Sequence, residues 1–271
     1  MKILSLGWGT QSFTLAAMSA RGEIQPVDFA VHADTTHERT ATYEFAKRWT
    51  PWLEKRGVKV VTVSDPEQAA KATTYKTDAP FFTQKVIEFG GTPIPAFMTN
   101  DGEGKLMRQC TSRWKIAPMR RFISAELERQ GLTKEPGIVK QWIGISLDEF
   151  QRMKVSDVKY IVNRYLLVDL RMTRHDCQLW LERHGLEIPP RSACVFCPFH
   201  SRAEWRDIRD NAPEDWAKAV EVDNAIRKAR PPYDLFVNVQ RKPLAECNLD
   251  NQVDRGQLEL WNNECEGACG I

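Results

Sequence analysis

The stretch Ile3-Leu4-Ser5-Leu6-Gly7-Trp8-Gly9-Thr10-Gln11-Ser12-Phe13 decides the fold. Ile3-Leu4-Ser5-Leu6 reads as a short buried strand and Gly7-Trp8-Gly9-Thr10 as a turn. A helix follows from about Gln11, with Phe13, Leu15, Ala16 and Met18 apolar. A helix that opens straight after a strand leaves backbone N–H groups unpaired, and its dipole favours an anion there. Glycines let a phosphate come close to the backbone. By itself, Gly7-Trp8-Gly9 fits either a phosphate loop or a tight strand-to-helix turn. No Gly-Lys-Ser/Thr follows, so it is not a Walker A loop, and the third glycine of the dinucleotide fingerprint is missing.

Working outward, strand and helix patterns alternate. Val27–Val31 and Val58–Val63 read as strands, and Thr42–Lys55 as a helix with Phe45, Trp49, Trp52 and Leu53 on one stripe. Residues 74–112 are rich in Gly, Pro and Thr and read as an irregular insertion. Ile116–Gln130 reads as a helix and Ile138–Ile145 as a strand. Tyr160–Val162 and Tyr165–Val168 read as short extended runs, and Thr173–His184 as a helix. Pro189-Pro190 breaks the chain. Helices are expected at about 202–211 and 213–229, then forty irregular, acidic residues. This order predicts an α/β fold, a parallel sheet flanked by helices. No repeat or clean linker is evident. The expected organisation is a nucleotide-binding domain over 1–200, with a helical and irregular extension over 201–271 packed on it.

The chain has 271 residues, 42% hydrophobic and 27% charged, which excludes disorder, collagen and coiled coil for the whole. No apolar run approaches the ~20 residues of a membrane span. The opening Met1–Gly7 is too short and glycine-interrupted for a signal peptide, so a soluble cytoplasmic protein is expected. Net charge is +2; a basic surplus lies in residues 101–210 and an acidic one in 211–271. Arg113, Arg120 and Arg121 fit either a nucleic-acid backbone contact or a solvated helix face.

Seven cysteines, an odd number, argue against a disulfide framework and for metal, redox or core use. The strongest local signal is Ser192-Ala193-Cys194-Val195-Phe196-Cys197-Pro198-Phe199-His200. Cys-x-x-Cys presents two thiolates to one metal or cluster; a redox pair or two core thiols are the other readings. Cys177 falls inside a helix pattern. The tail thiols Cys247, Cys265 and Cys269 fit a further ligand, a second zinc site, a persulfide carrier or plain packed thiols.

Four segments in order carry a family resemblance. Ser5-Leu6-Gly7-Trp8-Gly9-Thr10-Gln11-Ser12 resembles the PP-loop of the adenine nucleotide α-hydrolase-like superfamily. Ala33-Asp34-Thr35-Thr36 with Thr42-Tyr43-Glu44-Phe45 resembles the Asp-Thr-Gly segment of its phosphoadenosine-phosphosulfate reductase branch. Cys110-Thr111-Ser112-Arg113-Trp114-Lys115-Ile116-Ala117-Pro118-Met119 resembles that branch's Cys…Lys…Pro segment, and Trp142 to Arg152 its next strand and basic loop. Three features depart from it. Gln109 stands where a second adjacent cysteine is usual. Gly144-Ile145-Ser146-Leu147-Asp148-Glu149 replaces an arginine-rich loop. Glu264-Cys265-Glu266-Gly267-Ala268-Cys269-Gly270 only echoes the reductases' Glu-Cys-Gly segment.

The resemblance implies a Rossmann-like fold that binds ATP or another adenine nucleotide. Ser5, Gly7, Gly9, Thr10, Gln11 and Ser12 would serve the phosphates, and Asp34 and Thr35 the adenosine. Lys115 would be a cation near the phosphates. Cys110, Cys194 and Cys197 would hold a 4Fe–4S cluster with one open iron, zinc with His200 being the alternative. Asp148 with Glu149 would hold Mg²⁺ or form a solvated pair, and Cys265 or Cys269 would serve as nucleophile or sulfur relay. The implied activity is that of an iron–sulfur PP-loop enzyme, which adenylylates a substrate and transfers sulfur to it. The partner would be a sulfur donor or thiol reductant; a nucleic-acid substrate and a homodimer are left open. Sulfonucleotide reductase and a non-catalytic nucleotide-binding accessory protein with structural zinc are the alternatives.

Overall fold

The computed structural model describes residues 1–64, 94–99 and 104–250. They fall into two compact units: 1–64 with 114–192, and 94–99 with 104–113 and 193–250. The division places Cys194 and Cys197 with the C-terminal helices, rather than with the segment that carries the glycine turn.

The first unit is built on β1 (Lys2–Ser5), α1 (Thr10–Ala20), β2 (Phe29–Asp34), α2 (Thr40–Glu54) and β3 (Val60–Ser64). In the second unit β4 (Phe97–Met98) follows. The first unit resumes with α3 (Ala117–Arg129), β5 (Val139–Trp142), β6 (Ile161–Arg164), α4 (Leu166–Asp169) and α5 (Arg174–Arg183). Its five strands form a wholly parallel sheet of order β3-β2-β1-β5-β6. The expected α/β class with a helix-flanked parallel sheet is therefore what the chain forms.

Both faces of the sheet are covered, so its central strands β1 and β2 carry consecutive buried residues. Leu4, Leu6 and Ala30 pack with Phe13, Phe45, Leu53, Cys177 and Leu181 of the helices on one face. Ile3, Val31 and Ala33 pack with Met119, Ile123 and Leu127 of α3 on the other. Positions 119, 123 and 127 recur every four residues, one stripe of a helix laid on the sheet. α1 is buried from Thr10 through Ser19, because other helices as well as the sheet surround it.

Two expectations shift. Tyr165–Val168 was expected to be extended, but Leu166–Asp169 is a single helical turn; short apolar runs do not distinguish the two by pattern. The helix expected from Ile116 is preceded by a π-helical turn over Thr111–Ile116. Most of the irregular stretch 74–112 lies outside the described residues.

The second unit adds α6 (Arg202–Asn211), α7 (Pro213–Ile226) and β7 (Leu235–Phe236), with β4 antiparallel to β7. Ser201 and Glu204 close a reciprocal cap on α6. Asp223 of α7 is fully buried and accepts N–H groups from Val237 and Leu244 at 2.8 and 2.9 Å, with Arg227 as its ion-pair partner. No helix among the described residues is long and apolar enough to cross a membrane.

Candidate functional site

The strand order places a topological switch beside β1. The chain leaves β1 toward β2 and β3 on one side, then returns to β5 and β6 on the other. Open α/β sheets bind ligands at the carboxyl ends of the strands flanking such a switch. The turn Leu6–Gly9 lies at that end of β1. Phe13 donates its N–H to the Gly9 carbonyl at 2.9 Å, the first rung of α1, so the N–H groups of Thr10, Gln11 and Ser12 have no partner within the helix. The turn is braced internally: Gly7 N–H donates to Ser12 Oγ and Ser12 Oγ–H to the Gly9 carbonyl, both at 3.2 Å.

Trp8 adopts a left-handed backbone, φ 57°, which costs a non-glycine residue about 1–2 kcal/mol. Its indole is buried against Phe13, His32 and Phe45, and burying so large a ring more than offsets that strain. The turn is thereby locked to the helix-side core.

Gly144, just past β5, meets this turn directly. A β-carbon built there would lie 2.8 Å from Ser12 N and 3.0 Å from Ser12 Cα. Only glycine lets the β5 end seat against the amides that open α1. Gln11 turns its side chain away from the turn. Its amide donates to Glu149 Oε2 at 3.1 Å and Ser146 Oγ at 3.4 Å, and a carboxylate can only accept, so the NH₂ group faces it. What Gln11 offers an anion is its backbone N–H. Ser5 Oγ accepts from Gln141 at 2.8 Å, tying β1 to β5. Asp148 accepts the Arg174 N–H at 3.0 Å at the start of α5, and Glu149 also pairs with Arg152 at 2.5 Å.

The end of β2 supplies a second group of polar side chains. Asp34 accepts from Thr36 N–H at 2.7 Å and from Tyr43 Oη–H at 2.8 Å; burial, with this carboxylate beside it, pushes the Tyr43 phenol up. His32 holds Nδ1 on the Leu6 carbonyl at 3.0 Å, so Nδ1 carries the proton. Burial lowers its pKa below 6.5, against the pull of Glu38 and Asp34, and keeps the ring neutral. A cavity of about 210 Å³ opens here, bordered by Trp8, His32, Asp34, Tyr43 and Lys47.

Glu38 is the residue the sequence did not single out. Its side chain is 0% exposed, yet it is bound by Lys115 Nζ at 3.3 Å, Thr35 Oγ1 at 3.3 Å and Ser192 Oγ at 3.4 Å. Burial alone would raise its carboxyl; the Lys115 charge and the hydrogen bonds from Lys115 and Thr35 bring it below its ordinary value. Thus Thr35, expected at the adenosine, and Lys115, expected at the phosphates, meet on one carboxylate.

The chain is similar to a PAPS reductase. The solved structure is that of phosphoadenylyl-sulfate (PAPS) reductase from Candida auris in a phosphate complex. The TM-score is 0.42 at 11% sequence identity, over 69% of this chain and 74% of that one. No family model and no curated protein matches the sequence.

The second unit holds the expected metal thiols. Cys110, Cys194 and Cys197 are half-buried. Cys197 N–H donates to the Cys194 carbonyl at 3.0 Å and His200 N–H to the Cys197 carbonyl at 3.1 Å, forming a compact turn. His200 Nε2 lies 2.9 Å from the same Cys194 carbonyl and so bears the proton. Its buried Nδ1 has no hydrogen-bond partner among the described residues, with Glu204 Oε2 3.9 Å away. Trp205 is buried edge-on to His200. Cys247 is a packed thiol; burial pushes it up to about 11. Cys265 and Cys269 lie outside the described residues. Among the described residues, no three His, Cys, Asp or Glu side chains stand together as a metal-binding group. The donor chemistry of these thiols suits a cluster or zinc. Of the pair expected at Mg²⁺, Asp148 Oδ1 accepts from Arg174 and the two Glu149 oxygens from Gln11 and Arg152.

Proposed function

We propose that this chain is a PP-loop enzyme of the adenine-nucleotide kind, whose first unit binds ATP by its phosphates and uses it to adenylylate a substrate oxygen. One observation carries the reading: the amides of Thr10, Gln11 and Ser12, which no rung of the helix uses, stand at the switch point, and Gly144 lies close against Ser12. Backbone donors held this way can follow the charge that builds on phosphate oxygens in the transition state. In the reaction the substrate oxygen attacks the α-phosphorus and the bond to the bridging oxygen breaks. Pyrophosphate leaves with the electron pair, and the substrate carries AMP. The Lys115 ammonium neutralises charge on the departing pyrophosphate. A sulfur donor then displaces AMP in the second half of the proposed reaction. The cluster on Cys110, Cys194 and Cys197 belongs to this proposal through the sequence resemblance alone, and no step above uses it.

Titration calorimetry with ATP and Mg²⁺, followed by a pyrophosphate-release assay across candidate acceptors, tests the reading. Binding of ATP with acceptor-dependent pyrophosphate release is expected. Sulfite release from adenylyl sulfate or PAPS with a thiol reductant would instead make the chain a sulfonucleotide reductase. ATP binding with no turnover of either kind would leave the accessory-protein reading.

A further inference from the structure

A fully buried carboxylate beside an anion-binding turn needs a reason. Ser192, which donates to Glu38 at 3.4 Å, also lies against the turn: β-carbons built at Gly9 and Gly7 would come 3.7 Å from Ser192 Cβ and 4.0 Å from Ser192 Oγ. The Glu38 charge is therefore one side chain removed from the turn that leads into α1. Burying a carboxylate and pairing it with one ammonium rarely adds stability over an apolar pair, because desolvation consumes the Coulomb gain. Near a bound polyphosphate the carboxylate is also repulsive. Both effects oppose a purely structural role.

Resting on the nucleotide reading above, we propose that Glu38 is a positioning residue that sets the affinity of the phosphate site. Its carboxylate fixes the Lys115 ammonium beside the turn and offsets part of the positive potential there, so that pyrophosphate is held loosely enough to leave. Lys115 is half-exposed along its side chain while its ammonium reaches Glu38, which Thr35 and Ser192 also grip. His32, Asp34 and Tyr43 also border this cluster; His32 is neutral and Asp34 is occupied by Thr36 and Tyr43.

This arrangement predicts a split that simple damage would not give. Glu38→Gln keeps shape and removes charge. Inorganic pyrophosphate should then bind about tenfold tighter in calorimetry, as should ATP with Mg²⁺. ATP turnover should fall by about tenfold or more, because Lys115 loses its bearing and the product lingers. Glu38→Asp, which keeps the charge, should restore most of the turnover. Weaker pyrophosphate binding in Glu38→Gln, or affinity within about twofold of wild type, overturns the proposal. If Glu38→Gln melts too early to assay, Lys115→Arg decides. It keeps the charge and changes the geometry, so pyrophosphate affinity should hold within about threefold while turnover drops. Unchanged turnover in Lys115→Arg overturns the proposal as well. The pyrophosphate titration needs no adenosine, so a wild type that binds pyrophosphate but not ATP refutes the nucleotide reading and still tests Glu38. A wild type that binds neither refutes both.

Discussion

Gly144 shows how one missing carbon shapes the site. Its role is space and not backbone freedom, since a β-carbon there would press on Ser12 N and Cα. Gly144→Ala must push β5 and α1 apart by some tenths of an ångström, at about 1–3 kcal/mol of stability. The same shift covers or tilts the Ser12 N–H. ATP affinity should drop about tenfold or more, while the melting temperature falls only a few degrees. Calorimetry beside a thermal melt checks this, and wild-type affinity in the variant would remove the turn from the phosphate site. His32 gives a second prediction. Its pKa is lowered from 6.5, chiefly by burial, so the unfolded chain takes up a proton before the folded one does. The stability it contributes is complete above about pH 6.5 and is lost as pH falls from there toward its folded value. His32→Asn keeps a donor for the Leu6 carbonyl and removes the titration. Urea unfolding at pH 7.5 and 5.5 should show a smaller loss of stability on acidification for the variant than for wild type. An equal loss would mean His32 does not titrate differently on folding.

At the scale of elements, what the sequence reveals depends on how local the cause is. The strand, turn and helix of residues 3–20 are legible because the apolar pattern and the glycines act within a few residues. Helix α3 is legible for the same reason, with Pro118 at its first turn. Glu38 is not legible: two of its partners, Lys115 and Ser192, come from distant segments, Ser192 being 154 positions away. Gln11 looks like a phosphate contact in the motif, and only the arrival of Glu149 beside it, 138 positions on, shows where its side chain goes. Asp223 is the same kind of residue in the second unit, a charge inside an apparently ordinary helix. It holds Val237 and Leu244 to α7, so Asp223→Ala strands two buried N–H groups and Arg227. The cost should be roughly 3–5 kcal/mol. Hydrogen exchange should show the Val237 and Leu244 amides losing protection while β1 and β2 keep theirs. Protection retained at both amides would mean the carboxylate is not what orders this segment.

Across the whole molecule, two chemistries occupy two units. The first unit has a strand-to-helix turn at the switch point, a buried carboxylate paired with a half-exposed ammonium, and a neutral histidine. The second has Cys110, Cys194, Cys197 and a buried imidazole with one bare nitrogen. The Cys-x-x-Cys turn is folded by its own backbone hydrogen bonds, and its occupant is a matter for analysis of bound metal. Iron, acid-labile sulfide and zinc measured per chain after anaerobic purification then separate the readings. Under the proposed cluster, about four irons and four sulfides are expected per chain, and Cys110→Ala should lose them together with the visible absorption. About one zinc without sulfide, retained in Cys110→Ala and lost in Cys194→Ala, would make the turn a structural site instead. His200→Ala distinguishes further. In a zinc site that uses the bare Nδ1, the variant releases the metal; in a three-thiolate cluster the iron content holds, because the imidazole is then no ligand. Metal-free protein with all three thiols open to alkylation would remove cluster and zinc alike, and leave the first unit to account for the activity alone.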